Sequence, residues 1–594
     1  MAASACAACL AGAIVLGAVW LGYKASQIEQ QLQAVARLMP QVKASLLEND
    51  AGTATRSVQE MARHTMQARS VANDPMWTLA GTLPWIGDNF KAVSEIATTA
   101  DDVANRGAAP LVGSLQSFNW ESLAPTGQGI DLSPLKAAAP KLASAADALK
   151  QSGNRLNAID SGRLLPQSAE PLADARQQLA SFSESLDYAA DAARIAPSIM
   201  GADSQRNYLL LIQNNAESRA TGGIPGALAV LTLDGGKMTL GRQVSAAAFG
   251  ITSPPVAVER EQAQIYSGRP GKFIQDVNLT PDFPTSASTA QAMWERRTGE
   301  HLDGVISVDP IALSYLLSVT GPVSLPDAQF PALDGKLPKQ LTSKNVAKTL
   351  MSDVYAQILE PSGQDAYFAG VAKETFAALS SGGDDSKKLI KAISKGIDER
   401  RILLWSKVPR EQSILSKYPL SGSVSGPSIS PAQFGVYFND GTGAKMDYHV
   451  KRTVQLIEKC PANGYYETKV RIISTNTAPK DAATSLPEYV TGGGAFGVPA
   501  GSVQTNIVAY GPVQSNVENV FVSGKKTDFS AHQHQGRPVG VVTVRLAPGQ
   551  SSTVEFAFGK IVQHAEPKLS VTPTVQASKD VVMDNISESC PSTP

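Results

Sequence analysis

From residue 2 to residue 23 the chain carries no charged side chain, and Leu10, Ile14, Val15, Leu16, Val19, Trp20 and Leu21 make the run apolar until Lys24. Wound as a helix, a stretch of this length spans the roughly 30 Å hydrocarbon layer of a bilayer. Its far end, Leu21-Gly22-Tyr23-Lys24-Ala25, lacks the small-x-small pattern of a cleaved secretion signal. An uncleaved transmembrane anchor is therefore expected over residues 1–24. No Lys or Arg precedes the run and Lys24 follows it, a flank that by the positive-inside rule argues weakly against an exterior body.

Over residues 25–200 the apolar positions fall at helical steps. Ile28, Leu32, Val35 and Met39 form one series, and Leu172, Leu179, Phe182, Leu186, Ala190 and Ala193 another. Helices packed along one stripe, forming an antiparallel α-helical stalk, account for this spacing. Breaks are expected at Pro40, at Asp74-Pro75, across residues 83–87 and at Ser133-Pro134.

Near Ser204 the pattern changes to alternating strands and helices. Residues 208–212 read as a buried strand, and residues 226–233 and 237–245 flank Asp234-Gly235-Gly236, a strong hairpin signal. Thr285 or Ser286 can cap a helix that Gly299 stops. Asp309-Pro310 can start another, ended by Gly321-Pro322, and further helices are expected at 343–359, 365–379 and 386–397. Residues 201–416 thus read as an α/β core. The Ser/Gly/Pro stretch from Ser421 to Pro427 is expected to be a linker or exposed loop. Beyond it, β-rich runs at 450–457, 465–473, 540–546 and 553–558 predict a β-sandwich over residues 417–594.

At 594 residues the chain requires several domains. Its 52 basic and 53 acidic residues nearly cancel, and the lack of a basic run argues against a nucleic-acid partner. Cys6 and Cys9 lie in the apolar run, while Cys460 and Cys590 are the two cysteines of the remaining chain. They suit one disulfide formed in an oxidising exterior, with two unpaired thiols as the alternative. No CxxC pair or Cys/His cluster points to structural zinc.

Candidate chemistry gathers in RNYLLLIQNNAESRATGGIPGALAV, residues 206–230. Here Asn214, Asn215, Glu217 and Arg219 combine amide, carboxylate and guanidinium groups, and Gly222, Gly223 and Gly226 let another group approach the backbone. The segment suits either a ligand-holding loop or a polar turn joining two strands. In DVNLTPDF, Asp276, Asn278, Thr280, Asp282 and Phe283 add a second group of candidates. Asp276 and Asp282 could hold a divalent cation such as Mg2+ against a phosphate gripped by Arg219, or could simply cap turns and helices. Arg242 is a further ligand-binding candidate. His532 and His534 share one face of a strand, but no third metal ligand accompanies them. No nucleophile elbow, Walker loop or metalloprotease helix is present.

The strings LLLIQNNAESRATGGIPG, LTPDFPTSASTAQAMWERRTGEHLDGVISVDPIALSYLLSVTGPV, FGVYFNDGTGAKMDY and LPEYVTGGG resemble the bacterial cell-surface proteins grouped as domain of unknown function 4012. The resemblance extends over essentially the whole chain. It implies a membrane-anchored helical region, an α/β core and a β-rich C-terminal part. More distantly, the core resembles the LytR-CpsA-Psr (LCP) phosphotransferases, which move polyisoprenyl-pyrophosphate-linked glycopolymers onto peptidoglycan. The match lies at residues 209–219 and 298–323. Where those enzymes carry Arg-Ser-Asp and Ser-Ile-Pro-Arg-Asp segments, this chain has Ile224-Pro225-Gly226 and Ser245-Ala246-Ala247-Ala248-Phe249. Only Arg219 falls on one of their phosphate-binding arginines, so most of the positive charge that would stabilise a departing pyrophosphate is missing.

The resemblance implies an extracytoplasmic, single-pass cell-envelope protein that binds or scaffolds a lipid-linked or surface polysaccharide during assembly, display or export. Its expected partners are the membrane, a lipid-linked glycan or cell-wall polymer, and other envelope proteins. The alternative is a divergent LCP-like phosphotransferase using Arg219, Asp276, Asp282 and Mg2+. Envelope sensing is a third and weaker reading, because few residues precede Lys24 to carry an output.

Overall fold

The computed structural model describes residues 2–48, 50–116, 123, 125, 129–325, 336–381, 385–460 and 465–588; the side chains of residues 2–15 are not among those described. The chain forms two compact units, one of Met1–Leu123 with Asp131–Asp203 and the other of Ala124–Ile130 with Ser204–Pro594.

The described part of the first unit is predominantly helical. Helix α1 (Ala2–Glu48) turns into α2 (Ala51–Ala72) at Asp50, whose carboxylate accepts from the Thr53 N–H at 2.9 Å. The two run antiparallel, since Ile28 shares a core with Ala68 and Ala72 while Val42 shares one with Ala54 and Val58. The Asp74-Pro75 pair starts the short α3 (Pro75–Ala80), which leads into α4 (Gly87–Asp102). A π-helical turn at Val103–Ala108 joins α4 to α5 (Ala109–Gln116). Helices α6 (Ser133–Asn157) and α7 (Pro166–Ile199) complete the unit. A Cβ on Gly107, inside the π turn, would come within 2.9 Å of Leu149, so the glycine makes room for that fully buried side chain. Arg155 ties α6 to α4 through Glu95 at 2.7 Å and Asp102 at 2.5 Å.

Helix α1 passes through Pro40 without the expected break. Met39 and Val42 pack against α2 on either side of it, and this burial outweighs the one missing backbone bond. Among the described residues no helix is long and apolar enough to cross a membrane. Most of the expected anchor, residues 2–15, lies outside the described side chains.

In the second unit a mixed sheet is built from β1 (Arg206–Arg219), β2 (Gly222–Asp234), β3 (Lys237–Ser245), β4 (Gly304–Val308) and a later strand. β1–β2 and β2–β3 pair antiparallel, whereas β1 and β4 are parallel. The expected hairpin at Asp234-Gly235-Gly236 forms, with φ of 55° and 84° at the two glycines. β5 (Val323–Ser324) and β6 (Gln340–Leu341) make a small ribbon, and β7 (Ile402–Ser406) closes the main sheet antiparallel to β4 in the order β3-β2-β1-β4-β7. The helix Phe283–Thr298 lays Phe283, Ala287, Ala290 and Trp294 on Leu209, Leu211 and Val305 of this sheet. Its cap is Asp282 rather than Thr285 or Ser286, because the Asp282 carboxylate accepts from both the N–H and the hydroxyl of Thr285. Gly299 ends it at φ 75°. Asp309 caps Pro310–Thr320 by accepting from the Ala312 N–H at 2.7 Å, as expected.

The C-terminal strands form two further sheets. One has the order β13-β12-β16-β10-β9-β18 and contains β9 (Val450–Glu458), β10 (Tyr466–Asn476), β12 (Asn516–Val522), β13 (Lys525–Thr527), β16 (Ser551–Ile561) and β18 (Ile586–Ser587). The other runs β14-β15-β11-β8-β17 through β8 (Gln433–Asp440), β11 (Val503–Tyr510), β14 (Ser530–His534), β15 (Arg537–Leu546) and β17 (Lys568–Val571). Phe434, Val436 and Phe438 on β8 and Ile507 on β11 meet Val454, Ile472 and Phe556 in one shared core. The alternate side chains Tyr437, Val508, Tyr510 and Val539 face Ala220, Tyr266 and Val424 instead. This second sheet is covered on both faces, which explains why all of β8 is buried.

The expected linker is part of that cover. Ser421 to Val424 are buried, and the Gly422 carbonyl accepts from the Phe283 N–H at 3.1 Å. Arg537, fully buried, donates to the Val424, Gln433 and Gly511 carbonyls at 2.8, 2.7 and 2.9 Å. Cys460 follows β9, and β18 pairs Ser587 with Glu458 beside it. Cys590, its expected disulfide partner, lies outside the described residues.

Replacing Leu149 by Ala removes the side chain that fills the space beside Gly107 and is expected to cost about 2–5 kcal/mol. Chemical denaturation monitored by far-ultraviolet circular dichroism measures the loss; an unchanged midpoint would show that the π turn closes the gap.

Candidate functional site

The polar residues of 213–223 do not form an exposed loop. β1 continues through them to Arg219 and returns as β2 from Gly222, with a bulge between the Asn214–Ile224 and Ser218–Gly223 pairs. A Cβ on Gly223 would lie 2.1 Å from the Asn214 carbonyl carbon, and one on Gly222, at φ 142°, 2.3 Å from Gln213 Oε1. Both glycines are therefore required by the packing of the hairpin against itself.

This hairpin end is inserted among the C-terminal strands and neighbouring helices. Asn214 Nδ2 donates to the Tyr355 hydroxyl. Asn215 Nδ2 donates to Asp309 Oδ2 and to the Pro573 carbonyl, each at 3.0 Å. The Ser218 N–H reaches Asp447 Oδ2 at 2.9 Å, and the Ala220 N–H reaches Asn439 Oδ1 at 3.0 Å. Gln213 spans Ser307 and Thr221, and Asn278 donates to Thr221 and the Gly223 carbonyl. The Asn215 and Asn278 amide oxygens and the Ser218 hydroxyl have no bonding partner among the described residues, which makes them places for ordered water.

Charge is paired within this buried region. Glu217 lies 2.5 Å from Lys445 Nζ and 3.0 Å from Arg219, and Arg219 reaches Asp276 at 3.4 Å. The Arg219 side chain is only 7% exposed. Burial pushes the Glu217 carboxyl up, but Lys445 and Arg219 outweigh it and hold the group below the usual carboxylate range. Asp276 is also bound by the more exposed Arg269 at 2.7 Å. Asp447 pairs with Arg452, and Arg401 with Asp309 at 2.7 Å. For Asp440 the balance is reversed: burial first, then Asp447 and Glu217, push its carboxyl up to about 7 against the opposing pull of Arg219 and the Thr442 hydrogen bond.

The structure thus brings Asn214, Asn215, Glu217, Arg219, Gly222, Gly223, Asn278 and Asp276 into one buried region. Asp282 caps a helix, Phe283 is core, and the Thr280 hydroxyl accepts from the Asp282 N–H at 3.3 Å. Arg242 is exposed on β3. Of the two histidines, His534 is fully buried against the Tyr510 hydroxyl at 3.0 Å and His532 is half-buried. No group of three or more metal-binding side chains occurs among the described residues. Tyr355, Asn439, Asp440, Lys445 and Asp447 were missed as partners. Asn439, Asp440, Lys445 and Asp447 lie in the polar run that follows the apolar residues 434–438 of β8, and charge following a doubly buried strand must itself find partners; Tyr355 has no such signal.

A separate groove of about 810 Å3 lies between β3 and the helix Pro361–Ser381. Met238, Leu240, Ala369, Phe376 and Ala377 make it largely apolar, and Lys373 contributes a cation.

Residues 203–355 match the family model described as Protein of unknown function (DUF4012). The matched segment holds β1 to β6 and ends at Tyr355, the partner of Asn214. Lys445 and Asp447, which complete the buried charge pairing, lie beyond it. A comparison with curated proteins finds no match. A crystal structure of a candidate nutrient-binding protein from Legionella pneumophila subsp. pneumophila str. Philadelphia 1 aligns with 7% identity and a TM-score of 0.14, over 22% of this chain and 42% of that one.

Replacing Arg219 by Met leaves two buried carboxylates short of a partner, and about 3–5 kcal/mol of stability should be lost. Urea unfolding reads this directly; undiminished stability would mean that the guanidinium is kept for a ligand. Asp440 yields a pH prediction. Its folded pKa lies above the unfolded value, so its contribution is fully present below the unfolded value near 3.8 and disappears as pH rises through about 7. The wild-type melting temperature should therefore rise from pH 8 to pH 6 relative to that of Asp440→Asn, and parallel profiles for the two proteins would contradict the assignment.

Proposed function

We propose that this is a membrane-anchored cell-envelope protein that binds or scaffolds a lipid-linked or surface polysaccharide, without acting on it chemically. The observation that carries the reading is the apolar groove between β3 and Pro361–Ser381, with Lys373 among its lining residues. A long apolar chain bearing an anionic head has the matching chemistry. An extracytoplasmic location is supported by the uncharged run at residues 2–23. It is also supported by Cys460 and Cys590, the two cysteines outside that run, which suit one disulfide in an oxidising compartment.

The divergent LCP-like phosphotransferase is the weaker reading. Such a reaction needs cations facing the leaving pyrophosphate, whereas Arg219 is buried against Glu217 and Asp276, and Asp282 is engaged in capping. Asp276 is the one candidate with an outward-facing neighbour, Arg269.

The test is calorimetric titration of the full chain with a short-chain polyisoprenyl pyrophosphate, with and without Mg2+. Binding should occur in both conditions and weaken about tenfold or more in Leu240→Arg, which places a charge in the apolar groove. Absence of binding would refute the lipid-linked ligand. Mg2+-dependent release of pyrophosphate or transfer of the head group would instead favour the phosphotransferase.

A further inference from the structure

Between α2 and α4 the residues 75–87 carry no charged side chain. The corner they form does not bury most of its apolar groups. Trp85 is 95% exposed and Leu79 61%, with Met76, Leu83 and Ile86 exposed beside them, while Trp77 and Ala80 turn inward. Trp85 also has a φ of 64°, a conformation a bulky residue adopts only at a cost. A contiguous apolar patch of this kind marks an interaction surface.

Polar groups in the corner are closed on one another. The N–H groups of Thr82, Leu83, Ile86 and Gly87 donate to the carbonyls of Leu79, Ala80, Pro84 and Leu83 at 2.9–3.1 Å. The Thr78 and Thr82 hydroxyls donate to the Asp74 and Leu79 carbonyls. Backbone satisfied in this way can leave water at small cost.

The corner also has a fixed place along α1. Leu21 packs in one cluster with Trp77 and Phe90, and Lys24 Nζ lies 3.4 Å from Asp74 and 4.8 Å from the Trp20 ring centroid. The patch is therefore level with the end of the uncharged run, where Trp20 and Tyr23 are themselves exposed. Tryptophan, tyrosine and lysine gather at this depth of membrane-spanning helices.

We infer that the α2–α4 corner is a second membrane contact, with Met76, Leu79, Leu83, Trp85 and Ile86 entering the interfacial layer of the bilayer that the N-terminal helix spans. The inference rests on the membrane-anchor reading above. Lipid is the occupant because the patch continues the apolar surface of α1, where Leu16 and Val19 are exposed. Two points of attachment would hold the helical unit at a set angle to the membrane, which a single helix cannot do.

The full chain in nanodiscs, with or without lipid brominated near the head of the acyl chains, provides the test. The difference in emission between wild type and Trp20→Phe reports the anchor, and that between wild type and Trp85→Phe reports the corner. Both components should lose about half of their intensity or more over brominated lipid, as expected for rings at the interface. Quenching of Trp20 without quenching of Trp85 overturns the second contact and leaves the anchor standing. Failure of the chain to enter nanodiscs, or no quenching of either, overturns both. A blue-shifted but unquenched Trp85 overturns the lipid assignment in favour of cover by protein, such as a second copy of the chain.

Discussion

The second unit depends on one buried carboxylate. Glu217 sits on a bulge of β1, largely buried, and is stabilised by Lys445 and Arg219. Ionised, it would be intolerable in that position alone. Its two cations bind the hairpin end to segments far apart in sequence: Lys445 follows β8, and Arg219 reaches Asp276 before the helix Phe283–Thr298. The α/β sheet and the C-terminal strands therefore form a single compact unit.

The same arrangement explains several local features. Because β8 is covered on both faces, its sequence is apolar at successive positions, and the polar residues that follow turn back to satisfy the hairpin. The Ser421-Gly422 segment, which by composition resembles a linker, closes over Phe283, and its Gly422 carbonyl accepts from both Arg400 and the Phe283 N–H. Arg537 is buried against three carbonyls with a tyrosine ring at 5.3 Å. It needs no carboxylate because its five N–H groups can be spread over neutral acceptors.

These contacts separate structure from ligand recognition. A loop rich in amide, carboxylate and guanidinium groups has the composition of a binding site, but here those groups bind one another. Among the described residues, apolar surface remains exposed in the groove beside β3 and at the corner between α2 and α4.

Local chemistry was legible in the sequence. The Asp234-Gly235-Gly236 turn, the Asp309-Pro310 helix start, the Gly299 stop and the order of helical, mixed and β-rich regions all follow from periodicity and from residues whose conformational preferences act over a few positions. The candidate residues from Asn214 to Gly223 are adjacent in sequence and lie in one buried region. Their partners were not legible in the sequence, since Tyr355, Asn439, Lys445 and Asp447 are joined to them only by folding. Whether Arg219 faces a ligand or a carboxylate, whether Pro40 breaks a helix and whether Ser421 to Val424 is exposed depend on the free energy of burial, and burial is decided by tertiary packing rather than by neighbours along the chain.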